Sequence, residues 1–97
     1  MVRIRVKGYM RFKGLVGEEA FLELETEKAT LRDALDALCR QRGGRLESVL
    51  LDPSTKEVRR SNLVLLNGQS HMSLRNRLDT GLKDGDEIML SPILAGG

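Results

Sequence analysis

The chain has 97 residues, 40% of them apolar, and 16 basic against 14 acidic side chains leave a net charge of +2. That length suits one domain, residues 1–97, burying roughly 65% of its unfolded surface. The single cysteine, Cys39, has no partner in the chain for a disulfide, which favours a reducing compartment. No apolar run approaches the ~20 residues that cross a bilayer, and the opening MVRIRVKGYM lacks the apolar core of a signal peptide. The expectation is a soluble cytoplasmic protein with no membrane association.

Val2, Ile4 and Val6 alternate with Arg3, Arg5 and Lys7, the period of a half-buried strand. A loop rich in Gly and basic residues, RFKGLVGEE, is expected next, and then AFLELET repeats the alternation with Leu22 and Leu24 inward. The two stretches form a predicted antiparallel hairpin. It places Arg3, Arg5 and Lys7 opposite Glu23 and Glu25 on one face, so the basic and acidic blocks cancel each other's field. With that cancellation and few aromatic side chains for bases to stack on, a nucleic-acid platform is excluded.

The period then changes to three and four. TLRDALDALCRQRGG puts Leu31, Ala34, Leu35, Leu38 and Cys39 on one helical stripe. Thr30 is the expected N-cap, with Asp33 completing a capping box. Arg40 and Arg42 suit the C-terminal end of the helix dipole, and Gly43 and Gly44 are expected to end the helix with positive φ. Cys39 on the stripe reads as a buried, inert thiol. Residues 45–62 give a weaker signal, a short helix or strand followed by a turn at Asp52-Pro53-Ser54. NLVLLNG reads as a strand ending in an Asn-Gly turn, and His71 beyond it as exposed and without metal partners. LRNRLDTGLKDGD reads as irregular structure. Its Asp84-Gly85-Asp86 lacks the rest of a calcium loop's ligand spacing and reads as a surface turn. EIMLSP is a last strand closed by Pro92.

A helix that follows a hairpin packs most easily across its apolar face, and later strands extend the same sheet. The prediction is α+β: a β-grasp domain, a mixed sheet half-wrapped around one main helix, with a flexible Gly-Gly tail. The sequence contains no phosphate loop, CxxC, HExxH or Ser-His pairing, so it offers little for an enzyme. The carboxylate after ILAGG is the unusual group. Gly96 and Gly97 lack a Cβ and can thread a narrow channel. The five residues past Pro92 reach roughly 16 Å. Ile93, Leu94 and Ala95 are placed to line the channel's entrance.

LDTGLKDGDEIMLSPILAGG (Leu78–Gly97), LVLLNG and IRVKGYMRFKGLVG together resemble the ubiquitin-like sulfur carriers of the MoaD/ThiS family, nearest the MoaD branch. The resemblance implies a protein co-substrate rather than an enzyme. Its Gly97 carboxylate is adenylated by a MoeB/ThiF-like adenylyltransferase, which itself binds ATP and Mg²⁺, while this chain binds no cofactor. The product is a thiocarboxylate. It implies transfer to a MoaE-like large synthase subunit or another sulfur acceptor, with molybdopterin synthesis first among the pathways. Two positions depart from the family pattern: Ser91 stands where an apolar or aromatic residue is usual, and Arg77 where Gly is frequent. The strand parities leave Leu63, Leu65 and Met89 facing outward. Tyr9 shares the outward parity of Arg3, Arg5 and Lys7, so these side chains form either a docking patch or a surface covered by residues 45–60. Two rival readings remain: a ubiquitin-like modifier joined through Gly97 to lysines, and a β-grasp binding module with an unused tail.

Overall fold

The computed structural model of the chain describes residues 1–26 and 28–93. Its first strand, β1 (Val2–Gly8), buries Val2, Ile4 and Val6 and exposes Arg3 and Arg5, as the alternation requires. Strand β2 (Ala20–Leu24) pairs with it antiparallel, Val2 opposite Leu24 and Ile4 opposite Leu22. The expected charge ladder is corrected by this register. Arg3 does face Glu23, but Arg5 faces Phe21 and Lys7 lies beside Met89 of another strand. The acid that Arg5 and Lys7 find is Glu87, with Glu19 also near Arg5 at 3.7 Å.

The hairpin connection is not the loop expected. It contains helix α1 (Arg11–Val16), which buries Phe12 and Val16, one turn apart, in the core. Gly8 makes this possible: a Cβ there would lie 2.5 Å from the Phe12 carbonyl oxygen, closer than any real contact. Six residues with Gly14 among them are too few for a helical period to show.

Helix α2 (Leu31–Arg42) forms where predicted. Thr30 Oγ1 accepts from the Asp33 N–H at 3.2 Å and Asp33 Oδ2 accepts from the Thr30 N–H at 2.9 Å, completing the capping box. Gly43, at φ 94°, ends the helix. Gly44 does not share that role; it begins helix α3 (Gly44–Leu50), whose Leu46 and Leu50 are fully buried. The Asp52 turn follows as expected, its carboxylate accepting from the Ser54 N–H at 2.8 Å.

Strand β3 (Asn62–Leu66) reverses through Asn67 and Gly68, at φ 51° and 86°, into the short β4 (Gln69–Ser70). Two successive positive φ values are what a tight Asn-Gly hairpin turn needs. The last strand, β5 (Glu87–Pro92), inserts between β1, to which it runs parallel, and β3, to which it runs antiparallel. The order is β2-β1-β5-β3-β4. Leu31, Leu35 and Leu38 of α2 join Val2, Ile4, Val6, Leu22, Val64, Ile88 and Leu90 in one core. This is the β-grasp architecture. The turn before β5 is tied to the start of β1: the Arg3 N–H donates to Asp84 Oδ1 at 2.8 Å and the Gly85 N–H to Arg3 O at 2.8 Å.

Candidate functional site

β5 carries the chain to one end of the sheet. Pro92 lies opposite Asn62, and the Ile93 N–H donates to the Ser61 carbonyl at 2.8 Å, fixing the direction in which the chain leaves. Ile93 is half exposed there, at 48%. Leu94, Ala95, Gly96 and Gly97, the expected reactive segment, lie outside the described residues.

Asn62, which the sequence reasoning passed over, braces this exit. It is buried, at 2% exposure. Its Nδ2 donates to Val49 O at 2.7 Å and Leu50 O at 3.2 Å, while its Oδ1 accepts from Arg11. One amide thus joins β3, α3 and α1 beside the last residues of β5. The available signal was parity: Asn62 shares the inward positions of Val64 and Leu66, where a polar side chain needs partners.

The outward side chains fall where parity put them. Leu65 and Met89 are direct cross-strand neighbours, Leu63 faces Ser91, and all four are half-buried. Tyr9 follows β1; it is 42% exposed and its N–H donates to Leu90 O at 2.9 Å. Helix α3 sends Leu46 and Leu50 into the core against α1 and α2, so this segment stacks on the opposite face of the sheet. Toward the β2 edge the outward face turns ionic and aromatic, with Arg3 5.1 Å from the ring of Phe21.

His71 departs from expectation. It sits in a 3₁₀ turn (His71–Ser73) and is buried, at 7% exposure, because the tight Asn-Gly turn folds it back against β3. Its Nδ1 lies 3.3 Å from Val64 O. A carbonyl only accepts, so Nδ1 carries the proton and Nε2 is the accepting nitrogen. Burial lowers its pKa, the Val64 hydrogen bond opposes that, and nearby Arg77 adds to the lowering. The imidazole is therefore neutral near pH 7. It helps line a cleft of about 670 Å³ walled by Leu63, Met72, Leu78 and Ile93. Arg59, Arg60 and Arg77 stand around the same cleft.

Cys39 is buried on α2 as expected, and burial, then Glu47 and Asp36, push its thiol up to about 11. Among the described residues no three metal-ligating side chains cluster, and no helix is long and apolar enough to cross a membrane. The Asp84 and Asp86 carboxylates are taken up by backbone N–H groups and by Asn67. What the described residues present is a surface and a strand end.

The ThiS family model matches residues 10–97. The chain belongs to the ThiS family. This member is similar in structure to small archaeal modifier protein 1 of Methanosarcina acetivorans, at 27% identity and TM-score 0.82, covering 100% of this chain and 98% of that one. A molybdopterin converting factor subunit 1 from Pyrococcus furiosus shares the fold at 24% identity and TM-score 0.72, over 97% and 100% of the two chains. So does the structure described as the Amycolatopsis orientalis BexX/CysO complex, at 22% identity and TM-score 0.74, over 97% and 99%. No curated protein matches the sequence. The family and fold are those of the ubiquitin-like sulfur carriers and modifiers, small proteins that are generally not catalytic themselves.

Proposed function

We propose that this ThiS-family member is a sulfur carrier that acts through the carboxylate of Gly97. The observation that carries the reading is the family match running through residue 97, together with a central strand that delivers Ile93 beside an open, partly apolar sheet face. In the proposed sequence a MoeB/ThiF-like enzyme, holding ATP and Mg²⁺, lets a Gly97 carboxylate oxygen attack the α-phosphorus, and pyrophosphate leaves. A sulfur donor's nucleophilic sulfur then attacks the acyl carbon and AMP leaves. With a persulfide as that donor the product is an acyl disulfide; a second thiol attacks the donor-side sulfur of its S–S bond, so a donor disulfide leaves and a thiocarboxylate remains. The chain is the co-substrate of both steps. Gly96 gives the tip the width of bare backbone, while Pro92, Ile93, Leu94 and Ala95 meet the partner's entrance. Tyr9, Leu65 and Met89 dock against its surface, and a MoaE-like subunit or another acceptor takes the sulfur, with molybdopterin synthesis as the first pathway to test.

A second reading has its own support. The likeness to a small archaeal modifier protein favours conjugation of Gly97 to lysines, a use of the same activated terminus. Two measurements separate them. Incubation with the activating enzyme, ATP and a sulfur donor should exchange one oxygen of Gly97 for sulfur in the intact-protein mass. Removing Gly97, or extending past it, should abolish the exchange without unfolding the domain. An unmodified mass with several such enzymes rejects the carrier reading, and a tail remnant on cellular lysines promotes the modifier.

A further inference from the structure

Arg77 has a left-handed backbone, φ 48°, where a glycine sits without strain and a side chain with a Cβ does not. The conformation is held locally: the Arg77 N–H donates to Leu74 O at 3.1 Å, and the Thr80 hydroxyl donates to Arg77 O at 2.6 Å. The Arg77 guanidinium lies at the edge of the His71 cleft, 3.7 Å from Met72 Sδ. Two more arginines, Arg59 and Arg60, line the same cleft. Arg59 uses its Nε on Ser48 O at 2.9 Å, and neither Arg59, Arg60 nor Arg77 makes an ion pair among the described residues. Glu57, the acid of the lining, is engaged by Arg32 at 3.3 Å.

The cleft therefore has an apolar wall of Leu63, Met72, Leu78 and Ile93 beside three arginines that make no ion pair among the described residues, and its acid, Glu57, is held by Arg32. A bare anion leaves the wall uncovered, and a purely apolar group desolvates the guanidiniums without compensation. Both needs are met by an acidic segment that also carries apolar side chains. Position says where it comes from. Ile93 is at once a wall of the cleft and the residue from which the tail departs. Four residues beyond it reach about 13 Å. A protein that takes Gly97 into its active site must bring its own surface within that distance of the cleft.

We infer that this cleft docks an acidic, apolar segment of the protein that receives the tail, with Arg60 and Arg77 selecting it. The inference rests on the carrier-or-modifier reading, and Leu63 makes the cleft continuous with the outward row that includes Leu65. It also gives a use to the one position where an arginine replaces the glycine that the backbone prefers.

The test has two arms on the full chain. In the first, the ¹⁵N-labelled protein is titrated with an acetylated Asp-Leu-Asp-Phe-Asp-Leu amide. Saturable shifts at Leu63, His71, Met72 and Ile93 are expected. Binding should be roughly fivefold weaker in an Arg60→Ala, Arg77→Gly double variant, the size that two rim ion pairs supply. It should also weaken with added salt. Arg77→Gly relieves the backbone rather than straining it, so the melting temperature should not fall when binding weakens. The second arm follows pyrophosphate release by the activating enzyme, where the double variant should raise the KM for the carrier and leave kcat unchanged. No cleft shifts at millimolar peptide, or the same shifts from inorganic phosphate alone, overturns the inference. So does an unchanged KM in the double variant while the wild-type mass exchange proceeds. Absence of that exchange in the wild type rejects the tail chemistry instead, since the peptide arm reads the cleft without it.

Discussion

The two faces of the sheet draw on the same two strands and meet different fates. On the inner face Val64, Leu66, Ile88 and Leu90 are buried under the helices. On the outer face Leu63, Leu65 and Met89, alternating with them, are only half-buried. Both rows are apolar, so side-chain type does not distinguish them. The difference lies in what is stacked on each: three helices on one side, and nothing of the described chain's helices on the other. An apolar row that the fold leaves uncovered is free to serve an encounter, whereas the covered row is committed to stability.

The largest effect should come from the covered side. Leu35→Ala removes a buried side chain that faces the inner row and should cost roughly 2–5 kcal/mol in urea unfolding. A loss within about 0.5 kcal/mol, typical of surface positions, would erase the distinction between the faces. Gly8→Ala comes next, because its new Cβ meets backbone at 2.5 Å and α1 must shift; overpacking of this kind costs about 1–3 kcal/mol, read from the same unfolding midpoint. On the open side Leu65→Glu should change the melting temperature little and weaken binding to the activating enzyme. A large fall in melting temperature with unchanged binding would move Leu65 to the committed row.

Smaller effects sharpen the picture at its edges. His71 has a lowered pKa when folded, so the unfolded chain binds the proton more readily. Its contribution is complete above about pH 6.5, the ordinary histidine value, and is lost as pH falls from there toward the folded value. Thermal melts from pH 7.5 to 5 should show that decline, and His71→Gln should flatten it. The smallest effect concerns Cys39. With its thiol pushed up to about 11, alkylation by iodoacetamide at pH 8 should be slow in the folded protein and rapid in denaturant, as intact mass reports.

The legible parts of this fold were those where local signals agree. α2 announced itself because a cap, a stripe, a basic end and Gly43 all mark the same dozen residues. The alternation of β1 and β2 likewise put Val2, Ile4, Leu22 and their neighbours in the core. α1 was hidden since its two buried residues, Phe12 and Val16, define no period, and the decisive residue, Gly8, acts through a contact with backbone four residues on. Register also escaped: Arg5 meets Glu87 rather than Glu25 because a strand from the far end of the sequence inserts beside β1. The same long-range pairing makes the exit. Its endpoints, Pro92 and Ile93, are legible in the sequence, while the brace at Asn62 and the buried setting of His71 depend on elements far apart in the chain.

The central place of β5 has a mechanical consequence. Since β1 and β5 run parallel as neighbours, tension applied at Ile93 against the start of the chain loads their hydrogen bonds in shear, side by side. Antiparallel neighbours pulled apart at the same end would instead unzip, one bond after another. β5 is also gripped by β3 across five register pairs, from Asn62 opposite Pro92 to Leu66 opposite Ile88. A machine that hauls on the tail, or on anything joined to it, therefore pulls against two ladders at once, and both must give before the strand comes free.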